Sequence, residues 1–235
     1  MSSPPGPTGT PPLSVAFCPC PPLLLPRVAG RAAADTAGLR AACAAALDAL
    51  LAAGPEVVVL VSPDAEGRYG QGDAGDLRGF GVDVEVPLSG GVRPGGRRTP
   101  PGLTVGAWLL DEAGHAGTRV GAGPRDLAAV VAGLSGTVGV LALGDGSARR
   151  GVKAPGHLDE AAAPFDAAVA AALATGDAAA LAGLDAAEGA RLMAAGVPVW
   201  RAVGALLAGR HVEARLLADE APFGVGYLVA SWTAR

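Results

Sequence analysis

Lysine is almost missing from this chain: Lys153 is the only one, against 17 arginines in 235 residues. The arginines are scattered, and Arg97-Arg98 and Arg149-Arg150 are the only adjacent basic pairs. With a net charge of -4 and a pI near 5.3, there is no basic stripe of the kind that nucleic acid requires. No apolar run reaches the roughly 18 to 20 residues that span a bilayer. The proline-rich segment from Met1 to Pro12 carries no basic side chain, so it does not read as a signal peptide. Cysteine occurs three times, at Cys18, Cys20 and Cys43. An odd count with two members one residue apart argues against a disulfide framework and fits a reducing cytoplasm.

Catalytic signatures are scarce too. His115, His157 and His211 are the only histidines, and no pair has metal-site spacing. Cys18-Pro-Cys20 has no second cysteine pair to complete a zinc site. Gly144-Asp145-Gly146-Ser147 lacks the Gly-x-Ser-x-Gly order of a nucleophile elbow and the lysine of a phosphate-binding loop.

What the chain has is alanine (52 residues), glycine (36) and proline (20), with half of its residues hydrophobic. That apolar share excludes a wholly disordered chain, and the glycines show no collagen period. A domain of this length buries roughly 70% of the surface its unfolded chain exposes. The composition marks no internal boundary. The expected organisation is a mobile Pro-rich tail over 1–12 and a single α/β domain over 13–235.

Leu13–Phe17 reads as a first strand, stopped by Pro19, Pro21 and Pro22. A helix capped by Asp35 is expected to run to about Ala53, with Leu39, Cys43, Leu47 and Leu50 on one face. Val57–Val61 and Thr137–Leu143 are continuous apolar runs, expected as neighbouring buried strands of a central, mostly parallel sheet. Residues 64–79 and 89–102 read as loops, and Val82, Val84 and Val86 alternate as a half-exposed strand. Leu103–Ala113, Asp126–Leu134 and 159–209 read as helical. Val212–Leu217 and Val225–Trp232 read as strands that close a hairpin. Strands alternating with helices give a layered α/β domain.

Three loops follow strands: Cys18-Pro-Cys20-Pro-Pro, Ser62-Pro63-Asp64 and Gly144-Asp145-Gly146-Ser147. The carboxyl ends of parallel strands form the ligand crevice of such sheets, although Gly and Pro there also serve as plain turn residues.

Taken in order, these stretches show a strand before Pro-x-Pro-Pro-Leu-Leu, another before Ser-Pro-x, a third before Gly-Asp-x-Ser-x-Arg, then Phe165-Asp166. That order resembles the catalytic B subunit of class III extradiol ring-cleavage dioxygenases (LigB-like), in particular the short B-subunit-like proteins of actinobacteria. The similar stretches are Val15 to Pro26, Ala142 to Asp166 and Ala221 to Trp232, within residues 13 to 232. The resemblance implies a non-haem Fe(II) held by two His and one carboxylate, with a further His as acid/base. It places Cys20 and Asp64 where the histidine ligands stand, Ala148 where the acid/base His stands, and Glu220 near the carboxylate.

Three readings follow. One is a degenerate LigB-like protein that binds an unidentified small molecule or protein, without cofactor. Another is an active metalloenzyme holding Fe(II) or Zn in a rebuilt site of Cys20, Asp64 and Glu220. The third is a generic α/β domain whose motif matches are coincidence. Cys20, Asp64, Asp145, Ser147 and Glu220 are the pocket candidates, with Cys20, Asp64 and Ser147 expected to face one pocket. The resemblance leaves open a homodimer, since relatives often pair.

Overall fold

The computed structural model describes residues 12–235; of the expected tail only Pro12 falls among them. The chain forms β1 (Leu13–Cys18), α1 (Pro26–Ala29), α2 (Ala37–Ala52), β2 (Val57–Val61), β3 (Arg68–Tyr69), β4 (Ala74–Asp76) and β5 (Glu85–Pro87). It continues with α3 (Pro101–Glu112), β6 (Thr118–Ala122), α4 (Leu127–Ala132), β7 (Val138–Leu143), α5 (Ala162–Thr175), α6 (Ala178–Ala182), α7 (Ala186–Arg191) and α8 (Val197–Leu206). The last elements are β8 (Val212–Glu220) and β9 (Tyr227–Ala234). Seven strands make one mixed sheet in the order β3-β6-β2-β7-β1-β9-β8, and β4 with β5 makes a small second sheet.

The parallel centre is β6-β2-β7-β1. Of these, β2 and β7 are apolar along their length because both faces are covered, as parallel sheets require. Val59 lies beside Val140, and Leu60 beside Leu141, as the two continuous apolar runs predict. β3 joins one edge antiparallel. On the other side β9 runs antiparallel to β1, and β8 antiparallel to β9, so the expected hairpin is present.

Two cores form, one per face. Leu39, Cys43, Leu47 and Leu50 of α2 and Leu103, Leu109 and Leu110 of α3 pack with Ala16, Val58, Leu60 and Leu141. Leu127 and Val130 of α4, Val169 and Leu173 of α5, and Trp200 and Val203 of α8 pack with Val15, Val59, Val140 and Trp232. Each such side chain, fully buried, contributes about 1.5–3 kcal/mol. Trp232 meets Phe17 edge-on with ring centroids 4.9 Å apart, and its indole N–H donates to the Leu173 carbonyl at 2.7 Å. A buried Trp keeps its polar atom satisfied in this way.

Several boundaries differ from expectation. α2 starts after Thr36, because the preceding turn over Gly30–Ala34 takes Asp35 into its own hydrogen bonding, Asp35 N–H to Ala32. The 64–79 stretch holds β3 and β4. Of the Val82–Val86 alternation only Glu85–Pro87 pairs, since Val82 N–H bonds back to Leu77 and Val84 N–H to Val82. β6 was not expected: Arg119 and Gly121 interrupt its apolar pattern.

The topology positions a site. After β1 and β2 the chain crosses to the α2/α3 face, and after β6 and β7 it crosses to the α4/α5 face. In sheet order these strands alternate, so neighbouring connections diverge at every step. Divergent connections of this kind mark the carboxyl ends of β2, β7 and β1 as the place where a crevice is sought.

Candidate functional site

Cys20 follows β1, Asp64 follows β2 and Asp145 follows β7, all at one end of the sheet. The Gly144 N–H donates to the Cys18 carbonyl at 3.0 Å, extending the β1–β7 ladder by one step. That carries Asp145 under the next turn, where its Oδ1 accepts the Cys20 N–H at 2.9 Å. The Asp145 carbonyl accepts the Gly196 N–H at 2.7 Å, which anchors the start of α8. A Cβ on Gly144 would lie 2.4 Å from Gly196 Cα, so this close approach needs glycine.

Asp64 is held from two sides. Its carboxylate accepts the Ser62 hydroxyl and, at 3.0 Å, the Gly102 N–H in the first turn of α3. Its outer part is exposed. Tyr227 opens β9 and is buried.

These groups act on one another. Burial raises the Asp145 carboxyl to about 6, and the charge of Asp64 adds to the rise, while the Cys20 N–H opposes it. Burial first, then Asp145 and Asp64, push the Cys20 thiol well up. Burial, Asp145 and Cys20 raise the Tyr227 phenol. The crevice thus holds a carboxyl that titrates near 6, a protonated thiol and a protonated phenol. All three supply protons or hydrogen bonds rather than a strong nucleophile.

The remaining sequence candidates are placed differently. Ser147 is fully buried; its hydroxyl donates to the Leu192 carbonyl at 2.6 Å and accepts the Arg149 N–H at 3.1 Å. It holds the loop down and is not free to face a ligand beside Cys20 and Asp64. Glu220 is exposed at the end of β8, opposite Tyr227 in register and directed toward Gly38 near the start of α2. Among the described residues, no group of three or more His, Cys, Asp and Glu side chains is placed to hold a metal ion.

Ala148 is partly buried, and its carbonyl accepts the Gly156 N–H at 2.9 Å. The loop after β7 therefore folds back and brings the His157 backbone beside Ala148. His157 itself is exposed, at φ +58°. His115 and His211 precede β6 and β8, so both lie at the amino ends of the strands, away from the crevice.

Sequence reasoning missed Tyr227, and it quoted Asp166 within the resemblance without giving it a role. Tyr227 gave no signal, since an aromatic at a strand start is ordinary. Asp166, on α5, is fully buried. It accepts the Ser147 N–H at 2.9 Å and pairs with Arg150 at 2.9 Å. A Cβ on Gly226 would lie 2.1 Å from its Oδ2, and one on Gly146 would lie 2.9 Å from its Oδ1. Gly146 N–H donates to Gly226, and Gly226 N–H to Ser147, so the β7 loop is laced to the start of β9 around this carboxylate.

Beside Asp64, at the ends of β2 and β6, lies a cavity of ≈ 440 Å³ lined by Pro63, Glu66, Arg125 and Pro198. An apolar depression of ≈ 360 Å³, lined by Ala190, Met193, Val197 and Pro198, adjoins it at Pro198. A further cavity of ≈ 430 Å³ lies at the amino end, around His115 and Arg119. There Arg119 is committed: it pairs with Asp111 at 2.7 Å and donates to the Ala107 carbonyl at 3.1 Å. It closes the end of α3, as a cation at a helix C-terminus does.

Set against known proteins, the chain matches no family model and no curated sequence.

Proposed function

We propose that this chain is a LigB-like α/β protein whose strand-end crevice binds a small organic molecule and does not open catechol rings. The observation that supports it is the composition of the crevice: Cys20, Asp64, Asp145 and Tyr227 interact there, and no imidazole is among them. Fe(II), which the resemblance implies, does not fit this donor set. The side chains where two neutral imidazoles would stand are a protonated thiol and an aspartate. Glu220 is not grouped with them. Ala148 cannot move a proton, and acid/base help is typically worth about 10²–10⁴-fold.

Two carboxylates, neither bonded to a basic side chain among the described residues, give the crevice a negative field at neutral pH. That field favours a neutral or cationic ligand able to donate hydrogen bonds. Anaerobic loading with Fe(II), followed by a panel of catechols in air, tests the reading. The expected result is no yellow ring-opened product. Turnover of roughly 1 s⁻¹ or more that His157→Ala abolishes would overturn it in favour of a rebuilt metalloenzyme. A ligand screen by thermal shift checks the binding half. Hits should be neutral or cationic compounds whose effect Asp145→Asn weakens; hits confined to carboxylates and phosphates count against it.

A further inference from the structure

The two edges of the large sheet are not alike. β3, at one edge, is two residues long, and the Arg97 guanidinium stacks on its Tyr69 ring at 4.0 Å. β8, at the other edge, runs for nine residues and, among the described residues, has a partner strand, β9, on one side only. An edge of that length carries unpaired backbone N–H and C=O groups that template another strand.

The first five residues of β8 are regular, since the bulge comes later, between Leu216 and Ala218. Val212, Ala214 and Leu216 are half-buried and pack on the Trp232 face of the sheet. Glu213 and Arg215, opposite Thr233 and Ser231 of β9, are exposed on the other face. A two-fold axis that joins β8 to a second β8 within one sheet keeps each side chain on its own face. It must therefore pass between two copies of the same residue.

Among Glu213, Ala214, Arg215 and Leu216, only one such centre suits this strand. Centred on Glu213 or Arg215, the axis sets like charges directly opposite each other, which is destabilising. Centred on Leu216, it runs the bulge into the ladder. Centred on Ala214, it sets Val212 opposite Leu216 of the second copy, Glu213 opposite Arg215, and Ala214 opposite Ala214. Every pair in the five-residue ladder then matches in size or charge; the Val212–Leu216 and Glu213–Arg215 pairs each occur twice, and the Ala214 pair lies on the axis. Among the described residues Arg215 is in no ion pair, and Glu213 pairs with the exposed Arg235, at 3.2 Å.

We propose that β8 pairs antiparallel with β8 of a second copy of this chain, about a two-fold axis at Ala214, to form a continuous fourteen-stranded sheet. The interface needs neither the crevice nor its ligand.

Sedimentation velocity on the full chain, across about 1–100 µM, tests the proposal, with far-UV circular dichroism to confirm folding. The wild type should sediment at twice the 22.9 kDa chain mass. Arg215→Glu and Glu213→Arg should each sediment as folded monomers, because each sets two like-charged pairs across the axis. The double exchange, Glu213→Arg with Arg215→Glu, recreates complementary pairs and should restore the dimer. A monomeric wild type overturns the proposal. So does a dimer that survives the single exchanges, or a double exchange that stays monomeric.

Discussion

Asp145 and Asp166 flank the same loop after β7, and each accepts a backbone N–H at 2.9 Å. Beyond that they diverge. Asp166 has Arg150 beside it and two glycines whose missing side chains make room for its carboxylate. Among the described residues no cation is bonded to Asp145, and Asp64 adds negative charge nearby. Burial raises both carboxyls, but only at Asp166 does a cation work against the rise. The comparison separates a carboxylate that holds the loop in shape from one whose charge serves no packing purpose. Residues of the second kind, in a crevice, are where function is sought.

The largest way to break that contrast is Asp166→Ala. It strands Arg150 and the Ser147 N–H and should cost about 3–5 kcal/mol, as loss of one partner of a buried pair does. Urea denaturation of the variant against wild type measures it. A loss under about 1 kcal/mol would make Asp166 no more structural than a surface residue.

Asp145→Asn should act in the opposite direction. A carboxyl raised to about 6 in the fold and near 3.9 unfolded binds its proton more tightly when folded. Its contribution to stability is therefore greatest below about pH 4 and falls as pH rises to about 6. Asn keeps the acceptor for the Cys20 N–H without the charge. The variant should gain up to about 3 kcal/mol over wild type at pH 7, and the gain should vanish near pH 4. The difference between the two proteins is the quantity to follow. Asp159 and Glu188, lowered by Arg191, favour the fold above the ordinary carboxylate range and lose that contribution as pH falls, in both proteins alike. A gain that does not change with pH would show that Asp145 is not the titrating group.

Gly226→Ala sharpens the contrast from the other side. A methyl group 2.1 Å from Asp166 Oδ2 must displace the carboxylate, at about 1–3 kcal/mol. Combined with Asp166→Ala the two costs should fall short of their sum, because the second change removes what the first collides with. Full additivity in the denaturation midpoints would mean that the methyl group strains something else. The smallest effect is expected at exposed Asp64. Asp64→Ala removes an anion from the first turn of α3 and should lower thermal stability by only about 0.3–1 kcal/mol.

The same physics explains what was legible in the sequence. Val57–Val61 and Val138–Leu143 announce themselves because strands covered on both faces have no reason to alternate. β6 fits the same sheet, yet Arg119 spends its length on the end of α3 and Gly121 lies against Leu103 and Tyr69. Local pattern cannot show either requirement. Cys20, Asp64 and Asp145 could be read because residues after parallel strands share one end of the sheet by topology. Ser147, two residues past Asp145, could not be told apart from them, since its turn toward Leu192 depends on a helix turn 45 residues away. The Gly226–Asp166 fit likewise joins segments that only the finished fold brings together.

The middle of the sheet also dictates a schedule. Among the described strands β1 is made first, yet its partners are β7 and β9, and Leu13 pairs with Ala234. During synthesis β1 therefore has no neighbour in the sheet until β7 is made, and its other side stays open until β9 is made. Contacts this far apart in sequence make folding slow, and an apolar strand waiting so long is exposed to wrong partners. Ending translation before β9 would leave β1 bare along one side in every copy. The eight residues of β9, more than any in the crevice, therefore decide whether the centre of the sheet is covered.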